Sequence, residues 1–206
     1  MINRCRLYLI TPPSFEPVQF AGALEEALAG GDVASVQLRL KTANDHDIAR
    51  AVSELMPIVQ RAGAAFILND RPDLARNLGC DGVHIGQDDI AYGETRRIVG
   101  AERIVGVTCH ASRHLAMEAA DAGADYVAFG AFFPSETKEA AGGADTELIS
   151  WWSELMIVPC VAIGGIGIET AKPIVEAGAD FIAVSSAVWR HPEGPGAAVK
   201  AFNALF

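Results

Sequence analysis

Cationic side chains are scarce in this chain: 16 Lys and Arg stand against 26 Asp and Glu in 206 residues, a formal charge of −10 at pH 7. So acidic a surface repels phosphate backbones and anionic lipid headgroups, which argues against nucleic acid or membrane as a partner. A phosphorylated small molecule would have to be gripped by a few local cations, a metal ion or main-chain amides. Cysteine is sparse too. Cys5, Cys80, Cys109 and Cys160 are too scattered for a metal clip or a disulfide framework, and they read as buried free thiols of a cytoplasmic protein. No apolar run approaches the ~20 residues that a membrane span needs. Met1 to Arg6 is not followed by an apolar stretch with a cleavage site, so no signal peptide is expected. Linker-like and low-complexity tracts are missing as well, which predicts one domain over residues 1–206.

What is present is a large apolar fraction, half of all residues, enough for a sizeable core. It is organised by a cryptic repeat: Gly31-Asp32-Val33, Gly79-Cys80-Asp81-Gly82-Val83, Gly123-Ala124-Asp125-Tyr126-Val127 and Gly178-Ala179-Asp180-Phe181-Ile182. The successive glycines lie 48, 44 and 55 residues apart. Each follows an amphipathic stretch rich in Ala or Leu, where glycine can close a helix in the left-handed conformation. Each precedes a β-branched or aromatic run that reads as a buried strand. Four more apolar runs, Leu7 to Ile10, Ala65 to Leu68, Ile104 to Val107 and Val158 to Ile163, fall between them. Eight strands alternating with helices predict a parallel sheet. Two βα units per repeat, used four times, predict a single (β/α)8 TIM barrel, whose reactive groups belong just after each strand.

The residues there are suggestive. Around the end of strand 2, alternation puts Gln37, Arg39 and Lys41 on one face, where polar groups are costly unless they meet a ligand; a strand end fraying into solvent is the bland alternative. Asn69-Asp70-Arg71-Pro72 follows strand 3, and Gly86-Gln87-Asp88-Asp89 follows strand 4. Each could simply cap the next helix, but two acidic side chains on neighbouring strand mouths also suit Mg²⁺ carrying substrate phosphates. Thr108-Cys109-His110 follows strand 5. His110 reads as a structural residue or helix cap, and Cys109 has no activating neighbours that would make it a nucleophile. After strand 6, Ser135, Thr137 and Lys138 precede Gly142-Gly143, a composition fitting either an exposed loop or a lid that grips phosphate oxygens. Gly164 and Gly165 after strand 7, with Ser185 and Ser186 after strand 8, match the usual place of a main-chain phosphate site in such barrels.

Taken in order, these motifs resemble those of the thiamine phosphate synthase family from Leu7 to about Trp189. The series is Tyr8-Leu9-Ile10-Thr11, Gln37-x-Arg39-x-Lys41, Asn69-Asp70-Arg71 and Gly82-Val83-His84-Ile85-Gly86-Gln87-Asp88-Asp89. It continues with Gly106-Val107-Thr108-x-His110, Phe133-Pro134-Ser135-Glu136-Thr137-Lys138 and Ala162-Ile163-Gly164-Gly165-Ile166. The resemblance implies an Mg²⁺-dependent transferase with two small-molecule substrates, a pyrimidine diphosphate and a thiazole phosphate; a homo-oligomer is compatible with it. Position by position it implies that Gln37, Arg39, Lys41 and Asn69 hold the pyrimidine diphosphate, and that Asp70 and Asp89 bind Mg²⁺. Thr108 and Lys138 would contact the pyrophosphate; Ser135, Thr137, Gly164, Gly165, Ser185 and Ser186 would hold the thiazole phosphate. Family members commonly carry Ser at the place of Thr108 and Thr at that of Ser135, and both swaps keep a hydroxyl. The first loop, Pro12-Pro13-Ser14, lacks the acidic residue often found there, and the stretch after Lys138 is short and has no arginine. Two alternatives share the fold: a thiazole tautomerase that uses His110 for proton transfer, and a binding protein that holds thiazole phosphate without turnover.

Overall fold

The computed structural model describes residues 5–134 and 143–206. Eight strands run β1 (Arg6–Ile10), β2 (Val33–Leu38), β3 (Ala65–Asn69), β4 (Gly82–Ile85), β5 (Ile104–His110), β6 (Tyr126–Phe129), β7 (Cys160–Ile163) and β8 (Phe181–Val184). All pair in parallel with their sequence neighbours, and β1 pairs with β8, so the sheet closes into the expected (β/α)8 barrel. The helices are α1 (Pro17–Ala29), α2 (Asp45–Arg61), α3 (Pro72–Leu78), α4 (Tyr92–Val99), α5 (Arg113–Asp121), α6 (Thr146–Leu155), α7 (Ile168–Glu176), α8 (Ser186–Trp189) and α9 (Pro195–Asn203). Among the described residues no helix is long and apolar enough to cross a membrane.

Local chemistry accounts for the helices. In α2 the Asn44 side chain accepts from the Asp47 amide, with Asp45 and Asp47 in the first turn and Arg61 in the last, each favourable to the helix dipole. Ile48, Ala51, Val52, Leu55 and Val59 form its buried stripe at helical spacing. The strands sort their side chains by alternation. Outward residues such as Leu7, Leu9, Val36, Val127 and Ile182 join the large core under the helices. Tyr8, Ile10, Tyr126, Ala128, Val161 and Ala183 fill a smaller core inside the barrel.

The repeat has a structural meaning that its spacing did not reveal. Each of three repeat aspartates turns its carboxylate onto the start of the preceding strand. Asp81 accepts from the Phe66 amide at 2.7 Å, Asp125 from Val105 at 2.7 Å, and Asp180 from Cys160 at 2.9 Å. At the first repeat Asp32 instead pairs with the Arg6 guanidinium at 2.7 Å. The motif thus locks odd strands to even ones at the closed end of the barrel, away from the mouth.

Three expectations need correction. Gly79, Gly123 and Gly178 do adopt positive φ, but Gly31 does not, because α1 ends at Gly30 in right-handed geometry. A side chain at Gly30 would meet the Gly196 backbone of α9, so close approach, not handedness, calls for glycine there. Strand 5 runs on past Val107 to His110, and strand 7 begins at Cys160, not Val158. The four cysteines are buried and free, and burial pushes their thiols up to about 12.

Gly106 is where the barrel interior is tightest. Its register partner is Tyr126, and a Cβ at Gly106 would fall inside the Tyr126 ring. Gly106→Ala should therefore lower stability by about 1–3 kcal/mol, read as a drop in the urea midpoint. An unchanged midpoint would mean that this ring does not fill the interior as described.

Candidate active site

The C-terminal ends of the strands form one rim, and the polar residues gather there. Strand β2 ends at Leu38, so the expected alternation does not carry through to Lys41. Gln37 lies within the strand, 3% exposed, and points into the barrel. The strand stops because the Arg39 amide donates to the Thr11 side chain at 3.0 Å, and a turn follows in which the Ala43 amide reaches the Leu40 carbonyl. That turn swings the exposed Lys41 toward β3, where its Nζ lies 3.8 Å from Asp70 Oδ2. Thr11, 2% exposed, organises the segment; its own amide donates to the Gln37 carbonyl. Sequence reading assigned Thr11 no role.

Neither acidic residue caps a helix. Arg71 occupies the N-cap of α3 without a side-chain bond, and Ala91 that of α4. Asp70 instead holds φ at 63°, a left-handed conformation that Asp tolerates better than most residues, with its amide donating to the His84 carbonyl at 2.8 Å. Asp89 turns back so that its carboxylate accepts from the Gly86 amide at 2.7 Å. The two carboxyl groups are thereby close enough for Asp89 to act on the titration of Asp70. Burial first, and the Asp89 carboxylate second, push Asp70 up to about 6, with Lys41 and Arg39 opposing. Two carboxylates this close repel when both are ionised, and a hard divalent cation relieves that repulsion. Among the described residues no three His, Cys, Asp or Glu side chains cluster. A cation held here would complete its shell with water and phosphate oxygens, the habit of Mg²⁺. The Lys41–Asp70 pair is half-exposed, hence worth under about 1 kcal/mol, and Lys41 can turn to a phosphate at little cost. Arg71 is differently placed, bonded to both Asp45 and Asp73. Asn69 ends β3 and lines, with Lys41 and Asp70, a cavity of about 100 Å³.

A continuous chain of hydrogen bonds crosses the barrel interior beneath this rim. Gln37 Nε2 donates to the Tyr8 hydroxyl at 2.9 Å, Tyr8 meets the Tyr126 hydroxyl at 2.8 Å, and Tyr126 meets His84 Nδ1 at 2.9 Å. His84 Nε2 meets Thr108 Oγ1 at 2.7 Å. Tyr8, Gln37, His84 and Tyr126 are all at most 7% exposed. Thr108 lies at the rim, its carbonyl accepting from Gln87 Nε2 at 2.6 Å. His110 is exposed with φ at 51°; it is not the cap of α5, a role that Ser112 fills. The sequence signal for the buried chain was there, Tyr8, His84 and Tyr126 at inward strand positions, but only neighbouring strands could connect it.

Across the ring from β3 and β4 lie β7 and β8. Gly164 and Gly165 take positive φ, and side chains there would collide with Ala131 and with Phe133 and Pro134. The Phe133 amide donates to the Gly164 carbonyl at 2.9 Å, so the β6 and β7 loops meet at this point. Ser185, whose hydroxyl donates to the Thr11 carbonyl at 3.4 Å, precedes Ser186, the first residue of α8. Amides of a first helical turn have no intrahelical partner. The expected contacts of Ser135, Thr137 and Lys138 fall on residues that lie outside the described ones.

The model of the family described as "Thiamine monophosphate synthase" matches residues 7–188. The chain belongs to this family. It is 65% identical to the thiamine-phosphate synthase of Rhodospirillum centenum, over 97% of this chain and 96% of that one. With the thiamine-phosphate synthase of Hyphomonas neptunium it shares 52%, over 98% and 94%. In three dimensions it is similar to the thiamine phosphate pyrophosphorylase from Pyrococcus furiosus, with a TM-score of 0.86 and 30% identity over 98% of this chain and 96% of that one. The resemblance carried by the short motifs therefore extends along essentially the whole barrel.

Thr11 offers a check on how the family's Gln-x-Arg-x-Lys segment is held. Thr11→Val keeps the volume but leaves the part-buried Arg39 amide unpartnered, at a cost of about 1–3 kcal/mol. Chemical denaturation should show that loss, and pyrophosphate, followed by calorimetry, should bind more weakly. A stability loss with unchanged pyrophosphate binding would separate Thr11 from the site.

Proposed function

We propose that this chain is a thiamine-phosphate synthase, a transferase that joins 4-amino-2-methyl-5-hydroxymethylpyrimidine diphosphate to thiazole phosphate and releases pyrophosphate. The observation that carries the reading is the acidic pair Asp70 and Asp89 beside Lys41, across the barrel mouth from the glycine and serine turns of β7 and β8. One side is suited to a metal-held pyrophosphate, the other to a phosphate on main-chain amides. In the route that the family implies, the C–O bond to pyrophosphate breaks with its electron pair leaving on oxygen. The resulting pyrimidine-stabilised cation is captured by the thiazole nitrogen.

Asp70 and Asp89 would hold Mg²⁺, which when bound neutralises charge on the pyrophosphate. Arg39, Lys41 and the Thr108 hydroxyl would receive the charge that builds on the leaving oxygen, a gain larger in the transition state than in the ground state. Gln37 and Asn69 would orient the pyrimidine. Ser135 and Thr137, with the amides of Gly164, Gly165, Ser185 and Ser186, would hold the thiazole phosphate, and Lys138 would close on the pyrophosphate. Phosphorylated substrates cross membranes poorly, which supports a cytoplasmic setting. The acidic pair disfavours a tautomerase, which has no pyrophosphate to hold.

Mixing both substrates with Mg²⁺ should yield thiamine phosphate, detected by mass spectrometry; no product from folded protein would overturn the assignment. Asp89→Asn, and Asp70→Asn in preference to Ala because Asn tolerates the left-handed backbone, should abolish coupling while leaving the thermal midpoint near that of the unaltered protein. Near-normal turnover without added metal would remove Asp70 and Asp89 from the metal site. Lys138→Ala should lower kcat by about 10²-fold and change the dissociation constant for thiazole phosphate far less. The reverse pattern would put Lys138 on the other substrate.

A further inference from the structure

The buried chain from Gln37 to Thr108 has a direction, and the direction follows from counting protons. Gln37 gives Tyr8 an N–H. A tyrosine hydroxyl has one proton, so Tyr8, accepting from Gln37, must spend its own on Tyr126. Tyr126, accepting from Tyr8 at 2.8 Å, must spend its own on His84 Nδ1 at 2.9 Å. The His84 ring is buried between the hydroxyls of Tyr126 and Thr108, and burial favours the neutral imidazole, which has a single N–H. With Nδ1 accepting, that proton sits on Nε2 and is donated to Thr108 Oγ1 at 2.7 Å. Thr108, whose oxygen is already accepting, keeps its hydroxyl proton for something at the mouth. At the other end, the Gln37 amide has given one N–H to Tyr8. Its carbonyl and remaining N–H form an acceptor–donor edge, complementary to the ring nitrogen and amino group of an aminopyrimidine.

We infer that Tyr8, Tyr126 and His84 are positioning residues that fix the polarity of the site, setting Gln37 to read the pyrimidine's amino edge and Thr108 to donate to the departing pyrophosphate. This rests on the proposed synthase reaction. Turning the Gln37 amide over reverses every link: Tyr8 would donate to Oε1, His84 would carry its proton on Nδ1, and Thr108 would spend its hydroxyl proton on His84. The polarity that reads the amino edge is therefore the one that leaves Thr108 able to stabilise the leaving oxygen. Recognition at β2 and leaving-group assistance at β5 are coupled through the barrel interior. The rings are packed to hold this arrangement, Tyr126 stacked on His84 with centroids 5.6 Å apart and edge-on to Tyr8 at 5.9 Å.

Two measurements on the full chain test it. In protein labelled with ¹⁵N-histidine, NMR at neutral pH should show His84 as the Nε2–H tautomer, and Tyr126→Phe, which keeps the ring but removes the link, should give a mixture. A wild-type Nδ1–H tautomer overturns the inference whether or not the protein couples its substrates, so its failure is distinct from failure of the synthase reading. In the coupling assay Tyr126→Phe should lower kcat about 10-fold, the effect of roughly one weakened hydrogen bond at Thr108, and raise KM for the pyrimidine diphosphate, because Gln37 loses its fixed orientation. The same substitution in a Thr108→Val background should lower kcat no further, because the link would then have no donor at the leaving oxygen to act on. Additive losses overturn the inference in favour of a purely structural role. Tyr8→Phe, which breaks the chain one link earlier, should repeat the pattern and serves if Tyr126→Phe does not fold.

Discussion

Closing eight parallel strands into a ring is the constraint on which the rest of this structure depends. Each strand must send alternate side chains into a cylinder of fixed volume, and all eight must deliver their C-terminal ends to one rim. The first demand explains why Gly106 faces the Tyr126 ring. The second brings together Lys41, Asp70 and Asp89, which come from three different strand–helix connections. Asp81, Asp125 and Asp180 secure the opposite end by accepting from the first amides of the preceding strands. The mouth is thereby free to use its own carboxylates for something other than holding the barrel shut.

An acidic protein that handles two anionic substrates has to solve its electrostatics locally. The solution we propose for the rim is a division of labour between the two sides of the ring. On the β2–β4 side, two carboxylates lie close enough to raise the pKa of Asp70, with Lys41 and Arg39 opposing the shift. A cation and a polyphosphate together would satisfy all four groups, whereas the protein alone leaves the two acids in conflict. On the β7–β8 side the means are main-chain: glycines that allow close approach, and the open amides of a first helical turn. Arg71 shows that proximity to the mouth is not enough, since both its neighbours Asp45 and Asp73 hold it.

The interior of the barrel departs from the apolar filling usual in this fold. Burying two tyrosines, a histidine and a glutamine is costly unless they find hydrogen-bond partners, and here each of the four side chains has at least one. A chain so enclosed has few ways to rearrange, because flipping one member requires flipping all. That property suits a site that must present a donor in one place and an acceptor in another.

The sequence by itself determined the architecture and the list of rim residues. Its glycine–aspartate repeat and alternating apolar runs are local signals, and strand periodicity acts over a few residues, so the barrel was legible without any contact known. Asp70, Asp89, Lys41 and Thr108 could be named for the same reason, each following a recognisable strand. What the residues do to one another was decided only by the tertiary structure. Helix capping by Asp70 and Asp89 was a sound local expectation, and it failed because the paired strands turn the two carboxyl groups toward each other. Alternation placed Arg39 and Lys41 with Gln37, but a hydroxyl from Thr11, on another strand, takes the Arg39 amide and ends β2 first. The link from Gln37 through Tyr8, Tyr126 and His84 to Thr108 joins residues of five strands, β2, β1, β6, β4 and β5. Hydrogen bonds between side chains so far apart in the chain leave no periodic trace in it; they exist only once the ring has closed.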